Sequence, residues 1–141
     1  MQVSEQIRQY IEAHRQEAFD LLVELAKIPA PSNHEEKRAA FCKEWLEKQG
    51  AQGVYIDEAL NVICPIGCEG SDAITVIVAH TDTVFPDTAP MPYSDDGKII
   101  RCPGVGDDTS SLAVLLLTAK YFCEKGIRPA GGVLFVCNSC E

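Results

Sequence analysis

The sequence has no apolar run long enough to cross a bilayer, no excess of positive charge and no export signal. Its longest apolar stretches, ITVIVA and LAVLLL, fall far short of the roughly 20 residues that a spanning helix needs. The opening MQVSEQIRQY lacks a basic segment followed by an apolar one, so neither export nor membrane insertion is expected and the expected location is cytoplasmic. Lys and Arg number 12 against 21 Asp and Glu, a net charge of −9. That balance excludes nucleic acid and anionic membranes as partners. Internal repeats and low-complexity linkers are lacking as well. What remains is a chain of 141 residues, 46% apolar, enough to bury one core.

A disulfide framework is also not expected, because the seven cysteines are odd in number and no export signal precedes them. The pairs Cys64/Cys68 and Cys137/Cys140 have spacings that could form two halves of a structural zinc site. A Pro-Ile pair lies inside the first, however, and an apolar strand carries the second. Buried structural thiols are the expected reading.

Apolar positions at helical spacing from Ile7 to Leu25, with Ser4 as N-cap and Pro29 and Pro31 as stops, predict one long helix over residues 4 to 28. Ser32-Asn33-His34-Glu35 reads as a capping box opening a second helix that turns Phe41, Trp45 and Leu46 inward and ends at Gly50. From Val54 the period becomes two, which predicts a hairpin around Asp57-Glu58-Ala59. Residues 73 to 79 and 132 to 137 are almost wholly apolar and read as interior strands covered on both faces. Between them lie an Asp- and Pro-rich loop, a short strand near residues 98 to 101, and a helix from about Thr109 to Lys125. The alternation predicts an α/β fold with a mixed, largely parallel sheet flanked by helices, whose ligands gather at the carboxyl ends of the strands.

That rule selects residues. One buried strand runs into His80-Thr81-Asp82 and the other into Asn138-Ser139-Cys140-Glu141. The helix between them opens with Gly104-Val105-Gly106-Asp107-Asp108. Each piece alone has an ordinary explanation: a satisfied His-Asp pair, aspartates capping a helix, a solvated glutamate. Residues 82 to 108, however, hold Asp82, Asp87, Asp95, Asp96, Asp107 and Asp108 against only Lys98 and Arg101. Carboxylates crowded at a rim repel unless a proton or a cation is shared. Imidazole with carboxylate suits zinc, cobalt or manganese better than calcium. Asp82 could orient His80, Asp107 could bridge two metals, and Glu141 could act as a general base.

The stretches VIVAHTDTVFP, GVGDDTSSLAVLLL and GVLFVCNSCE, in this order, resemble the N-terminal half of the catalytic domain of the co-catalytic zinc metallopeptidases of clan MH. That group includes peptidase T, carboxypeptidase G, acetylornithine deacetylase and succinyl-diaminopimelate desuccinylase. The resemblance covers essentially the whole chain, residues 1 to 141. It implies His80 and Asp107 as metal ligands, Asp82 and Glu141 as the catalytic pair, two Zn²⁺ ions (or Co²⁺ or Mn²⁺) in a complete site, and a cis Asp107–Asp108 peptide. The substrate it implies is a short peptide, or an acyl amino acid as the alternative; a non-catalytic domain that acts by association is the reading from another class. The family also has a second Glu after the base, a further acidic ligand, a distant His and an inserted lid domain, which this sequence does not contain. Each metal would find at most two protein ligands here, so weak metal binding, no hydrolysis by the chain alone, and self-association through uncovered apolar surface are expected.

Overall fold

The computed structural model describes residues 3–86 and 89–141. Helix α1, Glu5–Ala13, is capped by Ser4, whose Oγ accepts from the Ile7 N–H. The single helix expected over residues 4 to 28 is interrupted at His14 (φ −108°, ψ 14°), and α2 runs separately from Arg15–Lys27. Local chemistry explains the interruption: His14 Nδ1 donates to the Tyr10 carbonyl at 2.7 Å and the imidazole stacks on the Tyr10 ring. Hydrophobic spacing carries no trace of that competition for a backbone carbonyl.

Helix α3, Glu36–Lys48, closes at Gly50 in the left-handed region, φ 88°. Strands β1, Tyr55–Ile56, and β2, Val62–Ile66, form the expected hairpin. Its turn is tied by Asp57, whose carboxylate accepts from the N–H groups of Ala59 and Asn61 and from the Asn61 side chain. Strand β3 is Ile74–His80, the small hairpin β4, Ser94–Asp95, with β5, Ile100–Arg101, stands apart, α4 is Ser110–Glu124, and β6 is Gly132–Asn138.

The sheet is mixed, in the order β1-β2-β6-β3, with helices packed on it. Strand β6 is antiparallel to β2 and parallel to β3, and the parallel register pairs Ala79 with Cys137 and His80 with Asn138. Paired residues share a face. Val62, Cys64 and Ile66 of β2 and Val133, Phe135 and Cys137 of β6 pack in one cluster with Leu21 and Leu25 of α2, Cys42 and Leu46 of α3, and Leu112 and Leu116 of α4. Three helices thus cover one side of the sheet. No helix among the described residues is long and apolar enough to cross a membrane.

The other side corrects the expectation for β3, which is an edge strand and not one covered on both faces. Val76 is 54% exposed and Val78 61%, on the side opposite the helices. A continuous apolar run says that both faces of a strand are apolar, and says nothing about where the covering layer comes from. Strand β6 fits the expectation better, with Phe135 fully buried and Val136 9% exposed. The contrast yields a prediction: Phe135→Ala should lower unfolding free energy by about 3–5 kcal/mol in urea, whereas Val76→Thr should change it by no more than about 0.5 kcal/mol.

Candidate metal centre

The parallel pair β3–β6 brings two chain segments out at the same end of the sheet. The ladder continues past the strands: Thr81 donates to the Asn138 carbonyl through both its N–H (2.7 Å) and its hydroxyl (3.0 Å). The third segment arrives by a tight approach. Gly104 sits at φ 71°, where a Cβ would collide with the Thr83 side chain, so only glycine lets the chain pass this close to the end of β3. The turn Val105–Thr109 that follows is not a regular helix, since Asp107 (φ −127°, ψ 98°) and Asp108 (φ −120°, ψ 20°) leave helical geometry. The Asp107–Asp108 peptide is cis.

These segments meet at His80. Its Nδ1 faces two acceptors of Asp82, the backbone carbonyl at 3.1 Å and Oδ1 at 3.2 Å, which assigns the ring proton to Nδ1. Its Nε2 faces Oδ1 of Asp107 at 3.3 Å and Oε2 of Glu141 at 3.4 Å. One ligand atom from each of His80, Asp107 and Glu141 lies within 4.8 Å of the others, the group among the described residues that could hold a metal ion. A neutral imidazole with its proton on Nδ1 presents a lone pair at Nε2. Three acceptors then point at one another, an arrangement that needs a proton or a cation between them. Nitrogen with carboxylate oxygen is a donor set for zinc and its neighbours in the first transition row. The residues present therefore fit a divalent metal.

The environment is graded. Asp82 is almost fully buried, and its Oδ2 accepts from the Ser32 hydroxyl at 2.6 Å while Oδ1 accepts from the Glu141 N–H at 3.2 Å. Burial works to raise the Asp82 pKa, but these hydrogen bonds and the nearby imidazole outweigh it and hold the carboxyl below its ordinary value. For His80 burial works downward. The hydrogen bond to Asp107 and the charges of Asp82, Glu141 and Asp108 outweigh it, and the net shift is upward. Asp107 and Glu141, by contrast, are exposed at 92% and 71% of their side-chain surface. They line a cavity of about 350 Å³ with His80 and Asp82, and Val84 and Phe85 form its apolar wall.

Not every acidic residue counted in the sequence joins this group. Asp95 and Asp96 instead serve their own turn, Asp95 accepting from Gly97 and Asp96 from Lys98, Ile99 and the Arg101 guanidinium. Asp87 lies outside the described residues. The expected capping box is not formed either: the Ser32 hydroxyl donates to Asp82, and Glu35 Oε1 accepts from Asn33 and from Cys140. Both side chains serve contacts about 50 and 105 residues away in sequence, which no local pattern reveals. The seven cysteines are free. Burial pushes the Cys64 thiol up to about 12, and the neighbouring Cys42 together with burial pushes Cys137 well up, so the thiolates that a zinc knuckle requires are disfavoured.

Residues 61–141, which carry all three converging segments, match the model of peptidase family M28. The chain belongs to that family. The match places it among metallopeptidases and related metal-dependent hydrolases. A Pyrococcus abyssi protein named as a LysW-lysine/LysW-ornithine hydrolase is 34% identical over 106 residues, which is 75% of this chain and 30% of that protein. Human carnosine dipeptidase 1 superposes with a TM-score of 0.73 at 15% identity, over 95% of this chain and 34% of its own. A dinuclear metal-binding peptidase of the M20 family from Bacillus subtilis superposes with a TM-score of 0.66 at 19% identity, over 92% of this chain and 36% of its own. The fold is thus that of part of a zinc-exopeptidase-like domain, as the three motifs imply. The chain spans between 30% and 36% of the length of these relatives.

With chelator present, the His80 imidazole should titrate above its ordinary 6.5. Its contribution to stability is then complete below 6.5 and lost as pH rises through the raised value. Asp107→Asn should bring the titration of the His80 ring proton in NMR back down. A wild-type midpoint below 6.5 would contradict the geometry.

Proposed function

We propose that this chain forms the N-terminal, metal-binding part of an exopeptidase-like hydrolase that cleaves peptide bonds at a dinuclear zinc site. The observation that carries the reading is the convergence of His80 Nε2 with the Asp107 and Glu141 carboxylates at the mouth of one cavity. His80 and Asp107 would hold metal, Asp107 serving both ions of a dinuclear site. When bound, such ions supply Lewis-acid polarisation of the scissile carbonyl and acidify a water molecule.

The chain's own residues do the rest. Asp82, fixed by Ser32 and by the Glu141 N–H, holds the His80 ring with its proton on Nδ1 and so keeps Nε2 available as a ligand. Glu141, exposed beside that nitrogen, takes the proton of the attacking water and delivers it to the leaving nitrogen.

Likeness to LysW-lysine/LysW-ornithine hydrolase supports a second substrate class: an amide joining an amino acid to an acyl group, in place of an ordinary dipeptide. Two ligands per metal are fewer than catalytic zinc ordinarily takes from protein. The 141 residues alone are therefore inferred to bind metal weakly and not to turn over.

The test combines calorimetric Zn²⁺ titration with hydrolysis of short peptides and N-acyl amino acids, with and without chelator. His80→Ala and Asp107→Asn should each remove Zn²⁺ binding, whereas Glu141→Gln should keep it. In a protein carrying the whole catalytic domain, Glu141→Gln should lower hydrolysis about 10²–10⁴-fold. Undiminished turnover by that variant, or indifference to chelator, would falsify the reading.

A further inference from the structure

Two charged residues among those described are completely buried, Glu35 and Arg38, and both lie at the start of α3. Neither has a role in the chemistry outlined above. A carboxylate at a helix start is ordinarily a cap, yet Glu35 makes no side-chain hydrogen bond to the open N–H groups of α3. Its Oε1 instead accepts from the Asn33 N–H at 2.9 Å and from the Cys140 N–H at 3.2 Å, and its Oε2 is buried with no hydrogen-bond partner among the described residues.

The surroundings show what this contact does. The segment from Ala30 to Arg38 touches all three pieces of chain that build the site. Next to β3, Thr83 N–H donates to the Ala30 carbonyl at 2.7 Å and the Ser32 hydroxyl donates to Asp82. The Arg38 guanidinium donates to the Thr81 carbonyl at 2.8 Å and to Thr109 Oγ1 at 3.4 Å, just past Asp107 and Asp108. At the end of β6, three successive N–H groups are each held by a side-chain acceptor. Ser139 donates to Asn61 Oδ1, Cys140 to Glu35 Oε1, and Glu141 to Asp82 Oδ1. The middle one, Cys140, has φ 48°, a left-handed conformation uncommon for a residue with a side chain. Some interaction must hold it there, and the Glu35 carboxylate is the acceptor its N–H finds.

We propose that Glu35 is a positioning residue: acting through the Cys140 amide, it fixes the left-handed turn that aims the Glu141 carboxylate at His80 and Asp107. The consequence for catalysis rests on Glu141 being the base. The positioning itself does not, and it is measured without metal.

The experiment is ¹⁵N relaxation on the metal-free 141-residue chain, comparing wild type with Glu35→Ala and Glu35→Gln. Wild type should show rigid amides at Ser139–Glu141, with order parameters near about 0.85, and Glu35→Ala should drop them below about 0.6 with β2 and β6 unchanged. Glu35→Gln keeps an acceptor oxygen and should restore most of the order. Co²⁺ binding is titrated in parallel on the wild type, so that the metal site is tested separately from the positioning. Wild-type mobility at these amides, or unaltered order in Glu35→Ala, overturns the proposal. Should Glu35→Ala unfold, Glu35→Met, which fills the space without an acceptor, decides: loosening confined to the amides at 139 to 141 upholds positioning, and rigid amides there or loosening spread evenly through the sheet overturns it. Failure of wild type to bind Co²⁺ with its order parameters intact counts against the metal site alone.

Discussion

The parallel pairing of β3 with β6 sets His80 level with Asn138, and every contact of the candidate site lies downstream of that register. Side chains alternate along a strand, so a slip of one residue would turn His80 to the helix-covered face and carry Asp82 away from the Glu141 amide. The register is fixed from within. Phe135, fully buried and packed edge-on against Phe122 of α4, anchors the centre of β6, and Ala79 fills the last covered position of β3 before the imidazole. Core packing on one face of the sheet thereby determines where the polar groups emerge at its end.

Those polar groups form an electrostatically demanding set. The imidazole lies against the carboxylates of Asp82, Asp107 and Glu141 in a chain that already carries a net charge of −9. Asp82 is tolerated in its buried position because Ser32, Glu141 and His80 all direct hydrogen-bond donors at it. Asp107 and Glu141 have no comparable set of donors, and they stand in solvent on the cavity side. One acid is spent on orientation, two are left free to act, and the imidazole between them is tuned by both kinds. The ion pair between Lys120 and Glu17, with Nζ 2.6 and 2.7 Å from the two carboxylate oxygens, ties α4 to α2 well away from this group.

Much of this was legible in the sequence because of where the residues fall in their elements. His80 and Glu141 follow apolar runs, and Asp107 precedes the most apolar helix, so a topological rule about strand ends selected them without any knowledge of distance. Ser32 and Glu35 were visible as well, but with the wrong partners, since a cap signature looks the same whether the side chains turn to the helix or across the sheet. Asp95 and Asp96 added to a count of crowded charges and proved to stabilise their own hairpin. The exposed face of β3 and the interruption at His14 left no periodic mark, one because an apolar run does not name its cover, the other because a single side chain decides it. Arg38 is one of several charges in α3 yet is completely buried, and nothing local in the sequence distinguishes it from its neighbours.

The most direct test of the central claim is the location of a transition metal in the chain itself, by X-ray absorption and anomalous diffraction on the Co²⁺- or Zn²⁺-soaked protein. The account predicts an ion bonded to His80 Nε2 and an Asp107 oxygen, at the roughly 2.0–2.2 Å usual for such ligands. An ion settled on cysteine sulfur, with His80 Nε2 still turned toward bare carboxylates, would contradict it.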